Sequence, residues 1–138
     1  YKGALDYYTK CLDISDELGD RSSVAKAYHA LGNVGYSRGD YDGALDWYRK
    51  SLAIKEELGN RAGMADSMGQ IGILEYTRGK ADAAIPYLLK SFSTYRSIGS
   101  PNIQIVVSWL GRAREAIGER RFNELVRKEG VDPAELQL

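Results

Sequence analysis

Side chains able to do chemistry are few in this 138-residue chain, and their spacing does not favour catalysis. The single histidine, His29, has no second histidine and no cysteine at ligand spacing, so neither a metal site nor an imidazole proton relay can be assembled around it. The single cysteine, Cys11, cannot form an internal disulfide and falls where an internal repeat places Ser51 and Ser91, which marks it as a small packing residue. Glycines are plentiful but form no phosphate-binding loop, and no nucleophile constellation accompanies them. Trp47 reads as a packing residue, and so does Trp109, with a reach into the groove as its alternative. The expectation is a chain with no catalytic residue, no metal and no cofactor, in other words not an enzyme.

Composition narrows the partner. Nineteen basic residues balance nineteen acidic ones, so no bulk field draws the chain to nucleic acid or to an anionic membrane. Towards the C-terminus Arg112, Arg114, Arg120, Arg121, Arg127 and Lys128 alternate with Glu115, Glu119, Glu124 and Glu129, the pattern of a mixed solvated face. No apolar run approaches the roughly 18 residues of a membrane span, and the first residues of this sequence lack the charged, apolar and small-residue regions expected of a signal peptide. One unpaired cysteine fits a reducing compartment, so a cytoplasmic location is expected. The first residue is tyrosine rather than methionine, and the expectation is a piece of a longer protein.

The elements that would position these residues are set by repetition. Tyr41-Asp42-Gly43-Ala44-Leu45-Asp46-Trp47-Tyr48 echoes the segment from Tyr1 to Tyr8 and returns, more loosely, from Ala81 to Leu88, at an offset of 40. Leu31-Gly32 matches Ile71-Gly72 at 40 and Leu110-Gly111 at 39. Two helix types therefore alternate. A-type helices are expected over Arg21 to Arg38, Arg61 to Arg78 and Pro101 to Ile117, with Asp20, Asn60 and Ser100 as N-caps and Pro101 at the first helical position. B-type helices are expected over Lys2 to Leu18, Tyr41 to Leu58 and Ala81 to Ile98. Gly19, Gly59 and Gly99 would stop the B-type helices, and Gly39, Gly79 and Gly118 the A-type, in the left-handed conformation.

Packing follows from the stripes. In the second B-type helix Tyr41, Ala44, Leu45, Tyr48 and Leu52 form one apolar row and Trp47, Ile54 and Leu58 another, as expected of a helix covered on two sides. Gly32, Gly72 and Gly111, with Ala4, Ala44 and Ala84, would let paired backbones approach closely. Asp6 with Lys10 and Asp46 with Lys50 stand at ion-pair spacing. Pro86 falls inside a B-type helix, where it removes a hydrogen bond and predicts a bend. Beyond Gly118, a helix over Arg120 to Glu129 ended by Gly130, then Asp132-Pro133-Ala134-Glu135 as a helix start, would cap the last A-type helix.

These residues resemble the tetratricopeptide repeat. Tyr28, Leu31-Gly32, Gly39, Tyr41, Ala44 and Tyr48 stand at its signature positions, and the likeness covers about Tyr1 to Gly118. Gly35, Glu75 and Arg114 depart from it at a usual tyrosine, and Lys55 to Asn60 lengthen the repeat where the family closes on proline. The 40-residue period is similar to the variant in kinesin light chains and bacterial regulatory proteins. The stretch from Ala113 to Gly118, followed by Phe122 and Gly130, resembles the close of repeat arrays in bacterial signalling ATPases and transcriptional regulators. The resemblance implies an all-α, right-handed α-solenoid of antiparallel helix pairs, with about seven main helices and a short C-terminal helix. One domain over 1–138 is expected, divided into 1–19 (an incomplete repeat), 20–59, 60–99 and 100–138 (last repeat and cap).

In such a fold the A-type helices build the concave face, and the resemblance implies a ligand-facing stripe. It maps to Lys26, His29, Asn33, Tyr36 and Ser37, then Asp66, Gly69, Ile73, Tyr76 and Thr77, then Ile105, Ser108, Arg112, Glu115 and Ala116. Asn33 is the foremost candidate, because an amide can both donate to and accept from a peptide backbone. Ile73 and Arg112 replace it in the later repeats, and Lys26 and Arg112 alone do not make the carboxylate clamp of chaperone-binding members. The expected function is a protein-interaction module that binds a peptide or helix in its groove, as part of a larger regulatory or scaffold protein. The alternative is a structural or self-associating segment of a bacterial signalling ATPase or transcriptional regulator with no separate ligand. The bare face of the first helix around Tyr8, Cys11 and Leu12 is expected either to have been covered by a preceding repeat or to pair with a second copy.

Overall fold

The computed structural model describes residues 2–138, apart from the side chain of Leu18. Tyr1, which opens the repeat comparison, lies outside the described residues. The helices are α1 (Lys2–Leu18), α2 (Arg21–Ser37), α3 (Tyr41–Glu57), α4 (Arg61–Thr77), α5 (Ala81–Ile98), α6 (Ile103–Ile117) and α7 (Glu119–Lys128), followed by a 3-10 turn, Pro133–Leu136. No strand occurs among the described residues.

Links between helices are short because one residue both ends a helix and begins the next. After α2, Gly39 takes φ 78°, and its N–H reaches the Tyr36 carbonyl at 3.1 Å. The next N–H, that of Asp40, reaches the Gly35 carbonyl at 2.9 Å, so two orphan carbonyls of the helix end are satisfied. Asp40 then turns its Oδ1 to the Gly43 N–H at 3.1 Å and caps α3. Asp20 and Asn60 cap α2 and α4 in the same way, through Ser23 and Gly63. Bonds to Ser23, first from its hydroxyl and then from its N–H, hold the Asp20 carboxyl below the usual carboxylate range.

The chain divides into two compact units, Tyr1–Ser67 and Met68–Leu138. In the first, α2 packs against both α1 and α3. Val24, Leu31, Ala44 and Tyr48 are buried at the centre. Gly32 has a packing reason for being glycine: a Cβ there would stand 2.5 Å from the Tyr48 ring. Gly35 lies so close to Ala44 that its Cβ would come within 3.3 Å of backbone atoms, which accounts for the missing tyrosine. Ser51 is fully buried and gives its hydroxyl proton to the Ala25 carbonyl at 2.8 Å, so the small residue of the repeat is also a satisfied one. On α1 the barest apolar side chains are Tyr7 and Ile14 rather than Tyr8, Cys11 and Leu12. Those three are half-buried, with Leu12 packed on the Val24–Ala25–Ile54 cluster.

In the second unit α5 packs on α6, and α7 packs on both. Ile71, Leu74, Ile85, Leu88 and Leu110 are fully enclosed, and a Cβ on Gly72 would stand 2.8 Å from Leu88. The C-terminal cap buries Phe122, Val126 and Leu136. Its last turn starts as expected, with Asp132 accepting from the Ala134 N–H at 3.0 Å and Pro133 at the start, and it is fastened by Arg96 to Glu135 at 3.1 Å.

Several expectations are corrected. Helix α6 begins at Ile103, not Pro101, because Ser100 to Asn102 form a tighter turn in which the Ser100 hydroxyl accepts from the Asn102 N–H. Gly111 meets nothing within 4 Å of a built Cβ, so it is not a close-approach glycine. Gly118 has φ 89° but ψ 151°, an extended rather than left-handed-helical glycine, which lets a single residue separate α6 from α7. Leu58 sits at the end of α3 and is half-exposed rather than buried. The Asp46–Lys50 ion pair gives way to a cation–π contact, with Lys50 Nζ 4.8 Å from the centre of the Trp47 ring. Trp47 itself stacks on Tyr28 at 5.6 Å. Helix α5 runs unbroken through Pro86.

Candidate functional site

The stripe on α2 carries Lys26, His29, Asn33, Tyr36 and Ser37 at helical spacing. Lys26, Asn33 and Ser37 are exposed, while His29 and Tyr36 are half-buried. Asn33 is oriented from below: its Oδ1 accepts the Tyr48 hydroxyl at 2.6 Å. Tyr48 is buried, and burial together with nearby Tyr36 pushes its hydroxyl up to about 12, so it remains a proton donor across the physiological range. With Oδ1 engaged, the NH2 of Asn33 is left to act as donor towards solvent. Tyr36 rests edge-on against Tyr41 at 5.6 Å.

Further back along α2, a cavity of about 360 Å³ opens within the first unit. Lys26 and His29 line it from α2, Lys55 from α3, and Asn60, Gly63 and Asp66 from the start of α4. His29 leans on the Tyr48 ring at 5.3 Å, and its Nδ1 is buried without a hydrogen-bond partner. Burial first, and the Lys55 charge second, push the imidazole below its ordinary value, with Asp66 opposing. At neutral pH the ring is therefore uncharged.

Lys55 is the residue that sequence reasoning missed. It is buried, and its ammonium donates to the Ser67 hydroxyl at 2.8 Å. Burial lowers its pKa, and the Asp66 carboxylate counters part of that. The signal was present: Lys55 lies seven residues after Tyr48 and so falls on the apolar row of its helix, where a charged residue is out of place.

In the second unit the stripe changes character. Tyr76 meets Trp109 edge-on at 5.4 Å, and the Arg112 guanidinium lies 4.3 Å from the centre of the Trp109 ring. Trp109 thus joins two stripe residues while remaining half-exposed. Ile73 is half-buried, and Thr77 returns its hydroxyl proton to the Ile73 carbonyl at 2.9 Å. The structure therefore gathers Lys26, His29 and Asp66 around one cavity, and Tyr76 and Arg112 around one indole. Asn33 is held separately by Tyr48, and Ser37 closes α2 in solvent. Among the described residues no group of three metal-ligating side chains occurs, and no helix is long and apolar enough to cross a membrane.

Comparison with known proteins agrees with this architecture. The family model for the tetratricopeptide repeat matches twice, over residues 1–57 and 24–97. No curated protein matches the chain. Among solved structures, that of BtubC (BKLC) from P. vanneervenii is similar at TM-score 0.79 and 20% identity, covering 98% of this chain and 60% of that one. The chain thus spans less than two thirds of that protein's length, and the likeness shows the all-α, tetratricopeptide-like fold class. With family matches running from residue 1 to residue 97, the chain belongs to the tetratricopeptide repeat family, whose repeats generally serve as protein–protein interaction modules and are typically non-catalytic.

Proposed function

We propose that this chain is the recognition part of a larger regulatory or scaffold protein, and that it receives an extended peptide or a helix of another protein along its A-type stripe. Its long period fits the variant found in kinesin light chains and bacterial regulatory proteins. The observation that carries the reading is Asn33: an exposed amide whose oxygen is taken by a buried tyrosine hydroxyl and whose NH2 is left for a carbonyl of the ligand. Tyr36, one turn further along the same helix and edge-on against Tyr41, supplies an aromatic face beside it. Selection of a displayed random-peptide library on the immobilised protein tests it. Selected peptides should lose at least about tenfold in affinity against Asn33→Ala, the scale of one lost hydrogen bond to a positioned group. A selection that yields no binder, or binders indifferent to Asn33→Ala and Tyr36→Ala, would leave the chain as a structural segment.

A second reading is supported by α1, where Tyr7 and Ile14 expose 63% and 57% of their surface. These apolar side chains suit pairing with another copy or another part of the same protein. Light scattering over a concentration series, comparing the natural chain with Tyr7→Glu, Ile14→Lys, decides this: a mass that never rises, or rises equally in both, removes self-association through α1.

A further inference from the structure

Lys55 is an unusual residue to find under a binding face. Its ammonium is buried, its one hydrogen bond among the described residues goes to Ser67, and it borders a cavity of about 360 Å³. A buried ammonium with protons to spare is held at a free-energy cost that an anion in the adjoining space would relieve. Other groups around the cavity tilt the same way. Lys26 stands at its rim, and Gly63 brings the start of α4 to its wall, the positive end of a 17-residue helix. Asp66 contributes one negative charge against the two ammonium groups, leaving a small positive surplus that suits a monoanion better than a dianion.

We propose that this cavity receives the carboxylate side chain of a glutamate or aspartate in the bound peptide, with Lys55 and Lys26 as its charge partners. The proposal rests on the peptide-binding reading above and assigns that peptide an acidic residue at one place. At about 360 Å³ the cavity has room for a carboxylate side chain. Position agrees as well: Asn33 lies one turn further along α2 than His29, about 6 Å along the helix axis, so the cavity mouth is within reach of a glutamate side chain on a peptide gripped by Asn33. The anchoring lysine stands on a B-type helix, outside the A-type stripe on which the sequence-based candidates lie.

His29 makes the site observable. It is the only histidine, so its imidazole C–H signals are unique in a proton NMR spectrum. The charged or titratable groups that face it are Lys26 on α2, Lys55 and Tyr48 on α3, and Asp66 on α4. A bound carboxylate adds a negative charge beside the ring and raises its titration midpoint, so affinity for the acidic peptide rises as pH falls through that midpoint.

Acetylated, amidated tripeptides Ala-Glu-Ala and Ala-Gln-Ala, together with acetylated Ala-Ala-Ala bearing a free C-terminus, are titrated into the full chain. The His29 signals and the Asn33 side-chain NH2 are followed in parallel. The glutamate peptide is expected to move His29, raise its midpoint and bind at least about tenfold more tightly than the glutamine peptide. Lys55→Met is expected to abolish that preference, and Lys26→Gln, at an exposed position, to weaken it severalfold in a chain whose fold is not in question. Equal responses to glutamate and glutamine, or no response of His29, overturn the carboxylate pocket. Binding of the free C-terminus as tightly as of the glutamate side chain overturns the side-chain assignment. Movement of Asn33 without His29 leaves the peptide-binding reading standing and removes the pocket; movement of His29 without Asn33 keeps the pocket and removes that reading's use of Asn33.

Discussion

Lys55 and Ser67 in the first unit have Tyr95 and Val106 as their register equivalents in the second, at offsets of 40 and 39. The first pair carries a charge and is joined by a hydrogen bond beside a cavity; the second is buried and carries none. The stripes diverge in the same sense. Lys26 and His29 correspond to Ile105 and Ser108 of α6, and the second unit offers an indole between Tyr76 and Arg112 where the first offers ionisable groups around a void. One repeat scaffold thus tolerates opposite chemistry at one address, because its helix ends and small-residue contacts are made elsewhere. Side-chain chemistry at these positions can therefore vary without disturbing the fold.

That comparison can be broken first at the glycines. Gly32 and Gly111 share a register, yet a Cβ would collide with the anchored Tyr48 ring at the one and meet nothing at the other. Gly32→Ala is expected to cost about 1–3 kcal/mol by overpacking, read as a fall in the urea midpoint. Equal behaviour of Gly32→Ala and Gly111→Ala would show the Tyr48 contact to be soft. The helix starts come next. Asp40 caps α3, while Lys80, at the same place before α5, makes no side-chain cap bond. Lys80→Asp should add about 1 kcal/mol to stability and Asp40→Ala remove a similar amount, both from urea titrations. Gly111→Ala should be the mildest of the stability changes, a gain of about 0.5–1 kcal/mol from helix propensity alone.

The smallest effect concerns pH. The folded His29 titrates below its ordinary value of 6.5, so its contribution to stability is fully present above about 6.5 and is lost as pH falls through the lower folded value. His29→Gln should make the decline of the melting temperature between pH 7 and pH 5 shallower than in the natural chain. An unchanged slope would mean that burial does not hold the ring neutral. The second unit carries no histidine and supplies no comparable term.

Much of the fold was legible because its determinants are local. The 40-residue offset, the glycines that stop the helices and the Asp20 and Asn60 caps of α2 and α4 act within a turn or two of themselves, and the helices begin and end within two residues of expectation. Where the expectation slipped, the cause was equally local, as in the tight turn from Ser100 to Asn102 that delays α6. The stripe of candidate residues was legible as a list through the family resemblance, but its internal relations were not. Nothing near Lys55 in sequence says that Ser67, twelve residues on, will take its proton, nor that Asn33 will be fixed by a tyrosine fifteen residues away.

The sequence by itself therefore determined the helices, their order, their stops and the family, since backbone conformation at glycines and caps answers to nearest neighbours. Tertiary structure alone decided which same-register residues differ in fate. It buried Lys55 beside a cavity, left Gly111 open while closing Gly32, and turned the amide of Asn33 outward, because burial and hydrogen-bond partners are set by side chains brought close from distant positions.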